Sequence, residues 1–134
     1  MEPMDLWKDR EAETLDPTLF SDKAEAFARQ LAADNEKNKG RVNKRTQIRK
    51  FYDEVTRLNQ LARTQENRWE SIHPMVHMLT AKAAYASGRK LVSNSFLAFI
   101  KSCVNQVETR KDLEVFSNLF EAIMGFYRLH GPNN

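Results

Sequence analysis

Three kinds of residue that shape many small proteins are scarce in this chain. It has one cysteine, Cys103, among 134 residues, which excludes an internal disulfide and is typical of a reducing compartment. It has only four glycines and four prolines, and no segment alternates apolar and polar residues as a half-buried strand does. Good helix formers are plentiful, and a chain of this length buries a sufficient core without disulfides or metals. The sequence therefore predicts an all-α protein, a compact bundle of about five helices.

Long apolar segments are also missing. No run of about 18 apolar residues occurs, so the sequence predicts no transmembrane helix. The first residues are acidic and contain no apolar run of the kind found in signal peptides. We expect a soluble cytoplasmic protein that makes no membrane contact.

The usual signatures of catalytic and metal sites are absent as well. The chain contains no Gly-rich phosphate loop, P-loop or serine-nucleophile motif. His73 and His77 have the spacing of two zinc ligands, but the HExxH glutamate is missing and Pro74 lies between them. Cys103 falls within an apolar stripe, which favours an inert buried thiol over a nucleophile. We therefore expect no enzyme activity, no cofactor and no metal.

Acidic residues are missing from one segment that is rich in bases. Residues 37–50 read KNKGRVNKRTQIRK and carry seven basic side chains, whereas the 36 residues before them hold ten acids and four bases. The net charge is only +3, so the segregation of charge is more informative than its total. A dense cationic segment that leads into a helix is what a polyanion such as a nucleic-acid backbone selects.

Apolar periodicity and end signals place the helices along the chain. They are predicted over about 17–33, 44–64, 69–87, from 93 or 94 onward, and from 112 to the Gly131-Pro132 pair. Residues 1–15 are expected to form a flexible acidic arm. Residues 34–43 are expected to be an exposed, mobile basic linker within one helical-bundle domain, 16–134. Pro74 is expected to interrupt the start of the third helix, and Gly88 to cap its end.

The fifth predicted helix is apolar over more than one face. Its large side chains include Phe116, Phe120, Phe126 and Tyr127. Such a helix either lies at the centre of the bundle or also packs on another subunit, and the sequence leaves both arrangements open.

The second predicted helix separates its basic residues from an apolar stripe that is expected to be buried: Ile48, Phe51, Val55, Leu58 and Ala62. Because successive residues step by about 100°, Arg45, Arg49 and Arg63 share one face, with Tyr52 at its border, and Lys50 lies on a third flank. Arginine forks suit phosphates, and an aromatic ring stacks bases or forms a hydrogen bond. Basic residues of the preceding linker add further contacts: Lys37, Lys39, Arg41 and Lys44. The alternative is an ordinary amphipathic helix whose cations only face solvent.

A motif at the start of this helix resembles a known family. The string NKRTQIRKFYDEV, Asn43 to Val55, is similar to the central motif of the small subunit of type III-A CRISPR interference (Csm) complexes. That motif has a polar or basic lead-in followed by Gln-(Ile/Leu)-Arg-(Lys/Arg)-(Phe/Tyr)-(Tyr/Phe), carried here by residues 47–52. The preceding helix, the charged linker and the aromatic-rich last helix resemble the same family in order and length.

The resemblance implies a non-catalytic helical bundle that stacks in several copies along the groove where target RNA pairs with the CRISPR guide RNA. Its partners would be both RNA strands, other Csm subunits and copies of itself, with contacts mainly to the nucleic-acid backbone. The resemblance implies a binding role for Arg49 and Lys50. The predicted helix geometry adds the remaining candidates: Lys44, Arg45, Tyr52 and Arg63. The acidic N-terminal third and the apolar last helix are both candidate surfaces for contact between copies.

Two other functions remain as alternatives. The first is a helical scaffold or adaptor that binds no nucleic acid and whose basic segment is a solvated surface. The second is a DNA-binding regulator that places the second helix in a major groove. The linker of about ten residues before this helix is too long for a helix-turn-helix, which disfavours the regulator.

Overall fold

The computed structural model describes residues 4–134, apart from the side chain of Glu66. Five α-helices follow one another in the described chain: α1 (Ala24–Lys37), α2 (Arg45–Thr64), α3 (Trp69–Gly88), α4 (Asn94–Gln106) and α5 (Arg110–His130). A π-helical turn, Leu19–Lys23, leads into α1, and a 3-10 turn, Glu66–Arg68, leads into α3. Over the described range there is no strand, only an isolated bridge between Asp9 and Thr14. The predicted all-α fold is confirmed.

The last helix, α5, lies at the centre of the bundle. It packs against α1 and α2, while α3 packs against α4 and α2. Phe116, Phe120 and Tyr127 of α5 are fully buried. The rings of Tyr52 and Phe99 meet Phe120 edge-on, each with ring centroids 5.6 Å apart. Burial within the bundle therefore accounts for most of the apolar surface of α5, and the central arrangement is observed. Leu129, near the end of the helix, remains 73% exposed.

A buried asparagine joins the start of α2 to the other helices. The Asn43 carbonyl accepts a hydrogen bond from the Tyr127 hydroxyl at 2.5 Å, and its N–H donates to the Leu91 carbonyl at 2.9 Å. Its side-chain amide donates to the Leu31 carbonyl and the Ser93 hydroxyl, and its Oδ1 accepts from the Ser93 N–H. Every hydrogen-bonding group of this fully buried residue has a partner. Its φ of 60° lies in the left-handed region, which asparagine tolerates better than most residues.

The connection between α1 and α2 is shorter and less exposed than the linker predicted over residues 34–43. The first four of these residues belong to α1, and Asn35, Val42 and Asn43 are buried. The Asn35 side chain donates a hydrogen bond to the Val42 carbonyl at 2.7 Å. The polar composition of the segment predicted exposure, but two of its asparagines are buried and donate hydrogen bonds to backbone carbonyls.

The described part of the predicted N-terminal arm lies against the bundle. Leu6 is fully buried, and its N–H donates to the Gln106 side chain at 2.7 Å. Trp7 and Arg10 donate to the Asp112 carboxylate at 2.7 and 2.8 Å. This part is therefore docked at the junction of α4 and α5, whereas the sequence predicted a loosely held arm. The first three residues of the arm lie outside the described chain.

The carboxylate of Asp112 holds the start of α5 as well. It accepts hydrogen bonds from the N–H groups of Glu108 and Thr109, and the Thr109 hydroxyl accepts from the Asp112 N–H, which completes a capping box. Burial raises the pKa of the Asp112 carboxyl, but hydrogen bonds from Glu108, Trp7, Arg10 and Thr109 outweigh burial. The pKa of Asp112 therefore lies below its usual range, and the carboxylate stays ionised.

Helix α3 differs from the prediction at both ends. It continues through Pro74 without a break, because this proline lies within the first two turns of the helix and removes only one backbone N–H donor. Gly88 is the last helical residue rather than a left-handed cap. The left-handed position falls on Lys90, with a φ of 59°, and its N–H donates to the Ser87 carbonyl.

Replacement of the buried asparagine is expected to destabilise the whole bundle. Asn43→Ala removes the side-chain hydrogen bonds to the Leu31 carbonyl, the Ser93 hydroxyl and the Ser93 N–H, and it places alanine at a left-handed φ. Together these changes cost about 3 kcal/mol or more. Urea denaturation measures this loss in the free energy of unfolding. The control is Asn105→Ala, an exposed asparagine within α4, which is expected to change stability by less than about 0.5 kcal/mol. Equal effects of the two substitutions would contradict the role given to Asn43.

The stabilising effect of Asp112 is expected to depend on pH. Because its folded pKa is lowered, its contribution is fully present above the ordinary aspartate pKa of 3.8 and is lost as the pH falls through the lower folded value. Asp112→Asn should reduce the free energy of unfolding by about 1–3 kcal/mol at about pH 7 and by less at about pH 2. Denaturation series at both pH values measure this, with the exposed Glu114→Gln on the same helix as control. If Asp112→Asn lowered the free energy of unfolding by the same amount at both pH values, Asp112 would act through packing alone.

Candidate nucleic-acid interface

The six predicted binding residues lie at the start and along the length of α2, but they do not form one site. They are Lys44, Arg45, Arg49, Lys50, Tyr52 and Arg63. Lys50 lies on the flank of α2 that faces α3, where it lines a groove. Tyr52 lies on the flank that faces α5. Arg63 follows Arg45 by 18 residues, which places it about 27 Å away along the helix.

Two of these side chains already have contacts within the protein. The half-buried ring of Tyr52 packs edge-on against Phe120, so its position in the core is explained without a ligand. Arg49 is exposed, with its Nε 3.9 Å from the Asp53 carboxylate. An exposed pair at this distance contributes little stability and leaves the guanidinium free to turn toward another anion. Arg63 is exposed at the other end of α2.

Arg45 lies partly buried beside Tyr127 at the first residue of α2. Its Nε is buried without a hydrogen-bond partner, and within the described residues no carboxylate forms an ion pair with it. Burial raises the pKa of the Tyr127 hydroxyl, the charge of Arg45 opposes this effect, and Asp34 adds to it. The hydroxyl therefore stays protonated and donates to Asn43.

A basic cleft lies between the α1–α2 and α3–α4 connections. It has a volume of about 520 Å³. Six of the residues that line it are cationic: Lys37, Lys39, Arg41, Lys44, Arg89 and Lys90. The other lining residues are Asn38, Val42 and Leu91, and no acidic side chain lines the cleft in the described structure. Six like charges around one concavity repel one another, and a bound polyanion would relieve this repulsion.

The sequence identified four of these cations but missed Arg89 and Lys90. Both follow α3, far along the chain from the basic segment, and nothing in the local sequence relates the two regions. Asn43 brings them together because it bonds both Leu91 and Ser93 of the α3–α4 connection. The only local signal was the pair of bases directly after the predicted end of α3.

The tight turns on each side of the basic cleft place lysines at unfavourable backbone angles. Lys39 and Lys90 both have a φ of 59°. A left-handed conformation costs a residue with a side chain roughly 1–2 kcal/mol, and glycine or asparagine would occupy it more easily. Lysine at both positions therefore provides charge at some expense in stability.

The N-terminus of α2 adds a favourable field at the edge of the basic cleft. Lys44 is the residue before the helix, no side chain caps this end, and its first turn contains no acid. A helix N-terminus carries a partial positive charge and unpaired N–H groups, so it attracts anions. Acids usually occupy such a position, and their replacement here by Lys44 and Arg45 suits an external anion.

The cysteine and histidine side chains that the sequence raised as possible reactive groups do not form a catalytic or metal site among the described residues. Cys103 is fully buried, as predicted, and burial raises the pKa of its thiol. The His73 ring contacts the Val107 carbonyl through Nε2 at 2.8 Å and stacks on Trp69. Among the described residues no group of three His, Cys, Asp or Glu side chains is arranged to hold a metal ion. None of the helices in this part of the chain has the length and apolar character to span a bilayer.

Comparison with known families supports the resemblance that the motif at the start of α2 indicated. The family model described as Csm2 Type III-A matches residues 15–133, a range that contains all five helices and the whole basic cleft. Searches among curated proteins and solved structures gave no match. Because the family model covers most of the chain, the protein belongs to the Csm2 Type III-A family, the small subunit of type III-A CRISPR complexes.

Proposed function

We propose that this protein is a non-catalytic RNA-binding subunit of a type III-A CRISPR interference complex. The basic cleft and the N-terminus of α2 contact the phosphate backbone of the guide RNA–target RNA duplex. The observation that carries this proposal is the convergence of six cations from two separate connections around one cleft that no acid lines within the described structure. Family membership supports association with the other Csm subunits.

Backbone contacts suit a subunit that must accept many different guide and target sequences. Phosphate contacts fix position and register but carry no direct sequence information. The four lysines of the cleft provide mobile point charges, whereas Arg41 and Arg89 provide planar forks that bind phosphate oxygens in pairs. Of the residues predicted from the sequence, Lys44 lies in the cleft, and Arg45 begins the adjoining helix. Arg49, Lys50, Tyr52 and Arg63 would touch RNA only outside the cleft.

The distribution of charge along the bundle supports stacking of copies. The docked N-terminal segment, residues 4–15, contains four acids and two bases and lies at the start of α5. The basic cleft lies toward the other end of α5, where Tyr127 bonds Asn43. Asp112, which the segment contacts, and Tyr127 are about 23 Å apart along the helix. A head-to-tail arrangement would bring an acidic end close to the basic end of the next copy, which favours a fixed register.

Removal of cations from the basic cleft is expected to weaken RNA binding in a salt-dependent manner. The variant Lys44→Gln/Arg89→Gln/Lys90→Gln should bind a duplex RNA more weakly than the wild type. Each lost phosphate contact should reduce the slope of log affinity against log salt by about 0.7 to 0.9. Fluorescence anisotropy titrations at several salt concentrations measure both quantities.

The matched control for this experiment is Lys101→Gln. Lys101 is an exposed base on α4 that does not line the cleft, so its substitution should leave the salt dependence nearly unchanged. Unchanged affinity and slope in the triple variant would show that RNA binds elsewhere. No binding of RNA by the wild-type chain, alone or within the complex, would favour the scaffold or adaptor function instead.

A further inference from the structure

A groove between α2 and α3 continues from the basic cleft. It has a volume of about 380 Å³ and shares Leu91 with the cleft. Phe51, Leu79 and Ala86 contribute its apolar lining, and Lys50 and Lys82 are two of its polar lining residues. The volume lies within the range of small-molecule sites, which extends from about 300 to 1,000 Å³. We call this concavity the α2–α3 groove.

Tyr85 lies in the α2–α3 groove and is 66% exposed. The Arg89 guanidinium lies 5.8 Å from the centre of its ring, and Arg89 Nη1 donates to the Tyr85 hydroxyl at 3.1 Å. Because Arg89 also lines the basic cleft, this contact connects the two concavities. An aromatic ring with this much exposure adds little to the stability of the bundle.

We propose that the α2–α3 groove binds an unpaired nucleobase of an RNA strand whose phosphates lie in the basic cleft. The inference rests on the proposed function. The base would stack on the Tyr85 ring and contact the apolar lining around Phe51, while its own phosphate would remain near Arg89. Every nucleobase has a π-face, so stacking of this kind is tolerant of sequence, as the backbone contacts are.

The surrounding charges favour a nucleic acid over a peptide as the occupant. The groove opens beside a cleft with six cations, and Lys50 at its own edge has no ion pair with a described residue. Lys82 is close to the Glu54 carboxylate, at 3.6 Å, but Glu54 already accepts two hydrogen bonds from Arg57. A neutral amphipathic peptide would fill the apolar lining and leave Lys50 and the cations of the basic cleft without a counter-charge.

The test compares two labelled RNA strands of equal length and charge, one of uridines and one with abasic residues in their place. Fluorescence anisotropy with the full chain is expected to show tighter binding of the uridine strand. Tyr85→Ala should weaken binding of that strand by about 5- to 150-fold if one base stacks, and leave the abasic strand unchanged. Tyr85→Phe should retain affinity because it keeps the ring. Met78→Ala, an exposed residue of α3 outside the groove, is the control and should have no effect.

The possible outcomes separate this inference from the proposed function. Equal affinity of the wild type for both strands, with no effect of Tyr85→Ala, overturns the base site and leaves the phosphate contacts intact. Equal weakening of both strands by Tyr85→Ala also overturns it, because the change would then act by displacing Arg89 from the cleft. If the Tyr85→Ala variant binds RNA as the wild type does but no longer associates with a partner subunit of the complex, the groove is a protein-docking site and the base site is overturned. Failure of the wild type to bind either strand, while it still binds a duplex RNA, overturns the base site alone, and failure to bind the duplex as well overturns both proposals.

Discussion

The hydrogen bonds of Asn43 determine where the functional surface of this protein lies. One residue connects α1, the α3–α4 connection and α5 at the point where α2 begins, and it does so without exposure to water. A buried polar group with a missing partner costs about 1–3 kcal/mol, so few other arrangements of these elements are equally stable. Because the two basic connections meet at this residue, the geometry of the cleft follows from a core interaction.

The sequence predicted the parts of the fold that depend on local pattern. The predicted buried positions of α2, Ile48, Phe51, Val55, Leu58 and Ala62, are all buried, since a spacing of three or four residues places them on one face. Interactions between distant residues were not predictable in the same way. The burial of Asn43 contradicts its polarity, and the docking of Trp7 and Arg10 on Asp112 spans over 100 residues of chain.

The candidate site was predicted in part for the same reason. Lys44 and the other cations of the α1–α2 connection were visible as an acid-free basic segment, whereas Arg89 and Lys90 were not, because only the folded chain brings them near it. Helix periodicity placed Arg45 and Tyr52 on one side of α2 and Lys50 on another. It did not show that the Tyr52 ring packs on Phe120, since this contact depends on the position of α5.

The most direct test of the account is the chemical reactivity of individual lysines in the assembled complex, with and without bound RNA. An amine-reactive acylating reagent followed by mass spectrometry gives the labelling rate of each lysine. If both connections contact the RNA backbone, RNA should lower the labelling rates of Lys39, Lys44 and Lys90 together. The exposed Lys8 and Lys101 should keep their reactivity. Equal reactivity of Lys44 and Lys90 in the presence and absence of RNA would contradict the assignment of the cleft as the RNA-binding surface.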